Sequence, residues 1–260
     1  MTSNSGEYGV SGGLSIRTGT SSHGRSGEIS IKTGAATNGA AGSINIHVGA
    51  GDMGDGGDIT MSAGATTSTG SSGGDINLIG GEGSSEDPGN GGNGGGVFIS
   101  GGRSQGRGVM DRGGDVLLSG GAAVSGPGGD VRITSGVSLI KNSGSVVVST
   151  HDSGISGISG EIVARTGISR AGHSGHIEVI SGHATAGSAG NIYIAVGDGN
   201  TGNGGDIELI AGRSTAANYA GGGIQIKGGE GESPHAGDGG NGGFVEILGG
   251  EGKGTSSGDT

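Results

Sequence analysis

Residues 175–189 read GHIEVISGHATAGSA, and most of the chain is a variation on that stretch. Counting from Gly175, Ile177 and Val179 fall at positions three and five, Gly182 at eight and Gly187 at thirteen, and Gly190 restarts the count. Aliphatic residues alternating with others have the period of two that marks a strand with one buried face. The run from Gly175 to Gly182 is too short for a helix and is rich in β-branched residues. Glycine reaches positive φ without steric cost, so the glycines are expected where the chain turns.

The aliphatic pair recurs along the chain. It appears as Leu14/Ile16, Ile29/Ile31, Ile44/Ile46, Ile59/Met61, Ile76/Leu78, Val97/Ile99, Val116/Leu118 and Val131/Ile133 in the first half. Val146/Val148, Ile162/Ala164, Ile177/Val179, Ile192/Ile194, Ile207/Leu209, Ile224/Ile226 and Val245/Ile247 continue it. A fixed period of about fifteen residues is the signature of a repeat architecture in which each unit stacks on its neighbours. One strand and its turns fill such a unit and leave no room for a helix. The expected fold is therefore all-β, a single-chain parallel β-solenoid of about fifteen coils. Its handedness is not readable.

A longer repeat lies above the short one. GGEGSSEDPGNGGNGG at 80–95 matches GGEGESPHAGDGGNGG at 228–243, and the segment 14–34 matches 161–182. The offset is about 148 residues, or about nine coils. The expected organisation is a flexible lead-in or partial cap at 1–11, a first superrepeat at 12–159, an incomplete second at 160–248, and a tail at 249–260. Insertions lengthen three coils: EGSSEDPGNGGNG (82–94), RSQGRGVMDRG (103–113) and EGESPHAGDGGNG (230–242). Insertions in repeat proteins gather in loops on one face. Neither end carries a polar cap, so the ends are expected to stack on another copy or on further chain.

Composition narrows the classes. Of 260 residues 72 are Gly, aromatics make up 2%, and Cys and Trp are absent. Collagen is excluded because no strict G-x-y period runs through the chain and Pro is only 3. A hydrophobic content of 29% would suit disorder, but the regular aliphatic pairs argue against it. Each buried aliphatic contributes roughly 1.5–3 kcal/mol, against roughly 0.5–1 kcal/mol lost per strand glycine. Ladder hydrogen bonds between coils must then supply the rest, and a few coils alone should not be stable.

The net charge of −11 argues against nucleic acid, which needs a basic face. No apolar run approaches membrane length. MTSNSGEYGV has neither the basic nor the apolar region of a signal peptide. A carbohydrate coat is compatible with the composition, but nothing indicates one, and no N-x-S/T sequon is present.

Few positions carry chemistry. Position two is often acidic, as at Glu28, Asp58, Asp75, Asp115, Asp130, Glu161 and Asp206. Turn-capping by an Asx-type bond is the ordinary role for such a residue. Stacked coils would set Asp115 about 4.8 Å from Asp130, and Asp58 likewise from Asp75. Ca²⁺ is the cation that oxygen ligands so placed would suit, and otherwise no cofactor is expected. Position four points outward and turns apolar in the middle coils, at Phe98, Leu117, Val147, Val163 and Tyr193. Such a stripe is expected to pack laterally against another chain. His173, His176 and His183 sit at differing places around the coil, which does not suit a metal site. No Ser/His/Asp arrangement is visible, and the aromatics are too few to line a sugar-processing cleft, so no enzyme is expected.

The chain resembles Gly/Ser-rich parallel β-solenoid repeat proteins of the extracellular fibre or surface type. It also has a distant architectural likeness to the β-roll antifreeze proteins of grasses, through its coil length, its Val/Ile ladder and its lack of disulfides. Those proteins carry an unbroken Thr/Ser face, whereas here Thr18, Thr33, Thr150 and Thr166 at position seven leave gaps. These resemblances imply a non-enzymatic structural protein of an extracellular fibre, surface appendage or matrix, located outside the cell or on a cell or virion surface. It would self-assemble into homo-oligomers or filaments, end to end and laterally. The alternative they leave is a binding module for ice or, as in calcium-dependent adhesins, for Ca²⁺.

Overall fold

The computed structural model describes residues 2, 4–6, 9–89, 91–232 and 240–253. Tyr8, the centre of the 230–242 insertion and the tail from 254 to 260 lie outside them. The described residues contain no helix and no strand. The single-chain parallel β-solenoid expected from the periodicity, and with it the fold that the β-solenoid resemblance implies, is not what the chain forms.

The reason lies in how one repeat follows the next. In a solenoid, position one of a coil lies beside position one of the coil before it, and the ladder runs on from there. Here the start of each repeat instead meets the end of the preceding aliphatic segment, at positions seven and eight. A Cβ placed on Gly27 would lie 3.3 Å from the Thr18 methyl, and one on Gly57 would lie 2.9 Å from Val48 Cγ1. Each repeat is thus an aliphatic segment followed by an excursion that closes on its own base.

Closure takes two forms. The first is a backbone hydrogen bond from the N–H at position one to the carbonyl at position eight of the repeat before. It joins Gly74 to Gly64, Gly95 to Gly81, Gly114 to Gly102 and Gly129 to Gly121, at 2.8–2.9 Å. Gly144 to Gly136, Gly222 to Gly212 and Gly243 to Gly229 repeat it, also at 2.8–2.9 Å. The excursions so closed differ in length, yet the bond is the same. Insertions 82–94, 103–113 and 230–242 therefore leave the base of their excursions unaltered.

The second form replaces the bond with a side chain. Where position seven is Thr18, Thr33, Val48, Thr150, Thr166 or Val196, its methyl faces the glycine that opens the next repeat. The bonded closures carry Gly, Ala or Ser at seven (Ala63, Gly80, Gly101, Gly120, Ser135, Ala211 and Gly228). At Gly101 a Cβ would stand 1.9 Å from the carbonyl oxygen of Gly114, and at Gly120 2.0 Å from that of Gly129. Only glycine fits there.

The closing glycines are thus needed for close approach rather than for a left-handed backbone. Positive φ occurs at the excursion tips instead, at Gly24, Gly54, Gly70 and Gly202, and at Asn38 and Asn218. Asparagine tolerates that region better than other non-glycine residues.

The chain divides into two units, Met1–Ile133 and Thr134–Thr260. This division falls inside the first superrepeat, 12–159, and not at its end. Neither unit has a buried core: among the described residues no side chain is buried, apolar or polar. The accessible surface is 26433 Å². A compact chain of 24.3 kDa exposes about 10,000 Å².

Candidate functional site

The repeated aliphatic pair is the feature of this chain that a partner would meet. From Ile29 to Val245, position three is 49–61% exposed. From Ile31 to Ile226, the aliphatics at position five are 58–74% exposed. So narrow a range along the chain reflects one repeated environment, partly covered and largely open. The backbone is open as well. Among the described residues, the backbone hydrogen bonds that are formed lie in the excursions and their closures, and none joins two aliphatic segments. A folded chain normally makes about one internal hydrogen bond per residue.

One recess concentrates these features within the second unit. It has a volume of about 1170 Å³ and is bounded on one side by Ser181, Gly190, Asn191, Ile192 and Tyr193. Lys227, Gly228, Gly229 and Phe244 form the other side. The first group is the joint between the repeats that open at Gly175 and Gly190. The second is the joint between those that open at Gly222 and Gly243, about three repeats further on. No hydrogen bond crosses between the two sides among the described residues. Lys227 is instead ion-paired with Glu230 on its own side. The three glycines leave stretches of bare backbone in the walls, and the lining is mixed, apolar at Ile192, Tyr193 and Phe244 and polar at Ser181, Asn191 and Lys227.

The outward residues at position four, Phe98, Leu117, Val147, Val163 and Tyr193, are all exposed, Phe98 almost wholly at 96%. Phe98 folds its ring back over its own backbone, where a Cβ on Gly96 would lie 3.0 Å from the ring edge. Tyr193 is the member of this set that lines the recess.

The acids at position two take different roles. The Asp130 carboxylate accepts from Arg132 Nη2 at 2.8 Å across an exposed surface. Asp58, Asp75 and Asp115 have no hydrogen bond or ion pair among the described residues. No three His, Asp or Glu side chains come together among the described residues. The stacking that would have set these acids in a ladder is absent along with the solenoid.

The carboxylates that do cap turns belong to the insertions. Asp87 accepts from the Gly89 N–H at 2.8 Å, and Asp111 accepts from the Gly108 N–H at 2.7 Å. In the loop around Asp87, the Gly92 N–H also reaches the Ser85 carbonyl at 3.3 Å. Sequence reasoning passed over Asp87 and Asp111. Their places beside glycine inside long loops, in EDPG and GVMDRG, were the signal for such capping.

Among the described residues no helix is long and apolar enough to cross a membrane. No known protein family, curated protein or solved structure matches the chain.

Proposed function

We propose that this is a non-enzymatic structural protein, a protomer that assembles with copies of itself into a fibre, surface appendage or matrix outside the cell or on a cell or virion surface. The observation that carries the reading is the partly covered aliphatic ridge, repeated from Ile29 to Val245 with no core to receive it among the described residues. A chain exposing this much apolar side chain and unpaired backbone does not offset the entropy of its own ordering in water. The same repeat along the whole length suits association along the whole length, as a fibre requires. The absence of cysteine and the acidic surface fit an exposed, soluble protomer. The apolar residues at position four serve contacts between neighbouring assemblies.

Negative-stain electron microscopy of the purified chain tests this. The expected result is elongated particles that lengthen or bundle with concentration. Uniform small globular particles at every concentration would overturn it.

A further inference from the structure

We infer that three copies of this chain intertwine, parallel and in register, each copy filling the gap that the other two leave between successive passes. The inference rests on the self-assembling reading above and specifies its partner and geometry.

The recess of the second unit supplies the first argument. The joint at Ser181–Gly190 and the joint at Gly228–Gly243 face the same space, about three repeats apart. The chain therefore returns to one side after about three repeats and leaves a gap instead of a contact. At about 1170 Å³ the space exceeds the roughly 300–1,000 Å³ of small-molecule clefts. Its walls combine glycine backbone with apolar Ile192, Tyr193 and Phe244 and polar Ser181, Asn191 and Lys227, which suits an extended chain that brings both side chains and backbone groups to pair.

Strand spacing sets how many chains enter. Neighbouring strands lie about 4.8 Å apart, so two inserted segments would separate successive passes by about 14 Å. Two added copies, each with the same three-repeat return, supply two segments per gap. A pair of copies would leave one edge of every aliphatic segment unpaired.

Register follows from the excursions. The closures Gly64–Gly74, Gly81–Gly95, Gly102–Gly114 and Gly121–Gly129 span unequal lengths in a fixed order. A parallel, in-register arrangement sets equal excursions at the same level in every copy over the whole chain, whereas a shift of about nine repeats matches them only where the copies overlap. In that arrangement Ile and Val at positions three and five of all copies face one another, covering the sides now open.

The absence of native cysteine allows a direct test. Three single variants, Ser30→Cys, Arg132→Cys and Glu208→Cys, place a spin label at exposed position four near one end, the middle and the other end. Pulsed electron spin resonance then counts the coupled spins and measures their separation. The expected result is three coupled spins per particle with the same separation at all three sites. Two spins, an isolated spin, or a short distance at Arg132→Cys with long ones at the other sites would each overturn the inference. Fibres with unequal separations would sink this geometry and leave the structural reading standing. Three equally spaced spins in particles that never elongate would support the geometry and count against the fibre.

Discussion

The bonded closures and the side-chain closures do the same job with different chemistry. At Gly101 the chain turns back so tightly that the Gly114 carbonyl occupies the place of a side chain, and the Gly114 N–H bonds to Gly102 at 2.8 Å. At Thr18, Thr33 and Val48 a methyl group holds the excursion base apart from the segment end, and the bond is not made. The size of one side chain at position seven thus selects the closure. Serine lies near the boundary: the repeat of Ser135 is bonded, and that of Ser181 is not. Both forms keep glycine at position one, in one case for the bond and in the other for room beside the methyl.

Forcing a side chain into the bonded form should have the largest effect. Gly101→Val places Cβ 1.9 Å from the Gly114 carbonyl. A loss of about 3 kcal/mol or more is expected, from backbone displacement and the lost bond, and thermal melting followed by circular dichroism measures it. In the other form, Gly57→Ala sets a methyl 2.9 Å from Val48 Cγ1 and should cost about 1–3 kcal/mol. Val48→Ala clears the space, so the double variant should recover much of that loss, with a coupling of about 0.5–3 kcal/mol. If the losses simply add, the close approach at Gly57 is not what selects glycine.

A subtler pair separates the methyl from the hydroxyl. Thr33 keeps its methyl facing Gly42 and donates a long bond, 3.4 Å, to the Gly42 carbonyl. Thr33→Val retains the methyl and should cost less than about 1 kcal/mol. Thr33→Ser, which retains the hydroxyl, should be the more damaging of the two. The smallest effect is expected from Arg132→Ala. Its ion pair with Asp130 is exposed on both sides, and roughly 0–1 kcal/mol is at stake. Urea unfolding measures both.

The sequence made the repeat legible but not its partner. Ile177 and Val179 show from their spacing alone that one face must be covered, and their exposure in the single chain shows a face still waiting for cover. Periodicity states that each segment needs a neighbour. It does not state whether the neighbour is the next repeat or another molecule, because identical repeats satisfy the same pattern either way. The clue that consecutive repeats do not stack lay in position seven. Gly80, Gly101, Gly120 and Gly228 each begin a Gly–Gly doublet, answered by a second doublet before the next aliphatic pair. Those doublets mark two backbones in close approach. The recess was beyond the sequence, since it joins Ile192 and Phe244 through a path that the excursions determine.

In the proposed assembly this chain completes its core only with copies of itself. Sedimentation equilibrium over a range of loading concentrations tests it most directly. A single species with a mass three times 24.3 kDa, or whole multiples of that trimer, is the predicted result. A folded particle holding at 24.3 kDa at every concentration would contradict it.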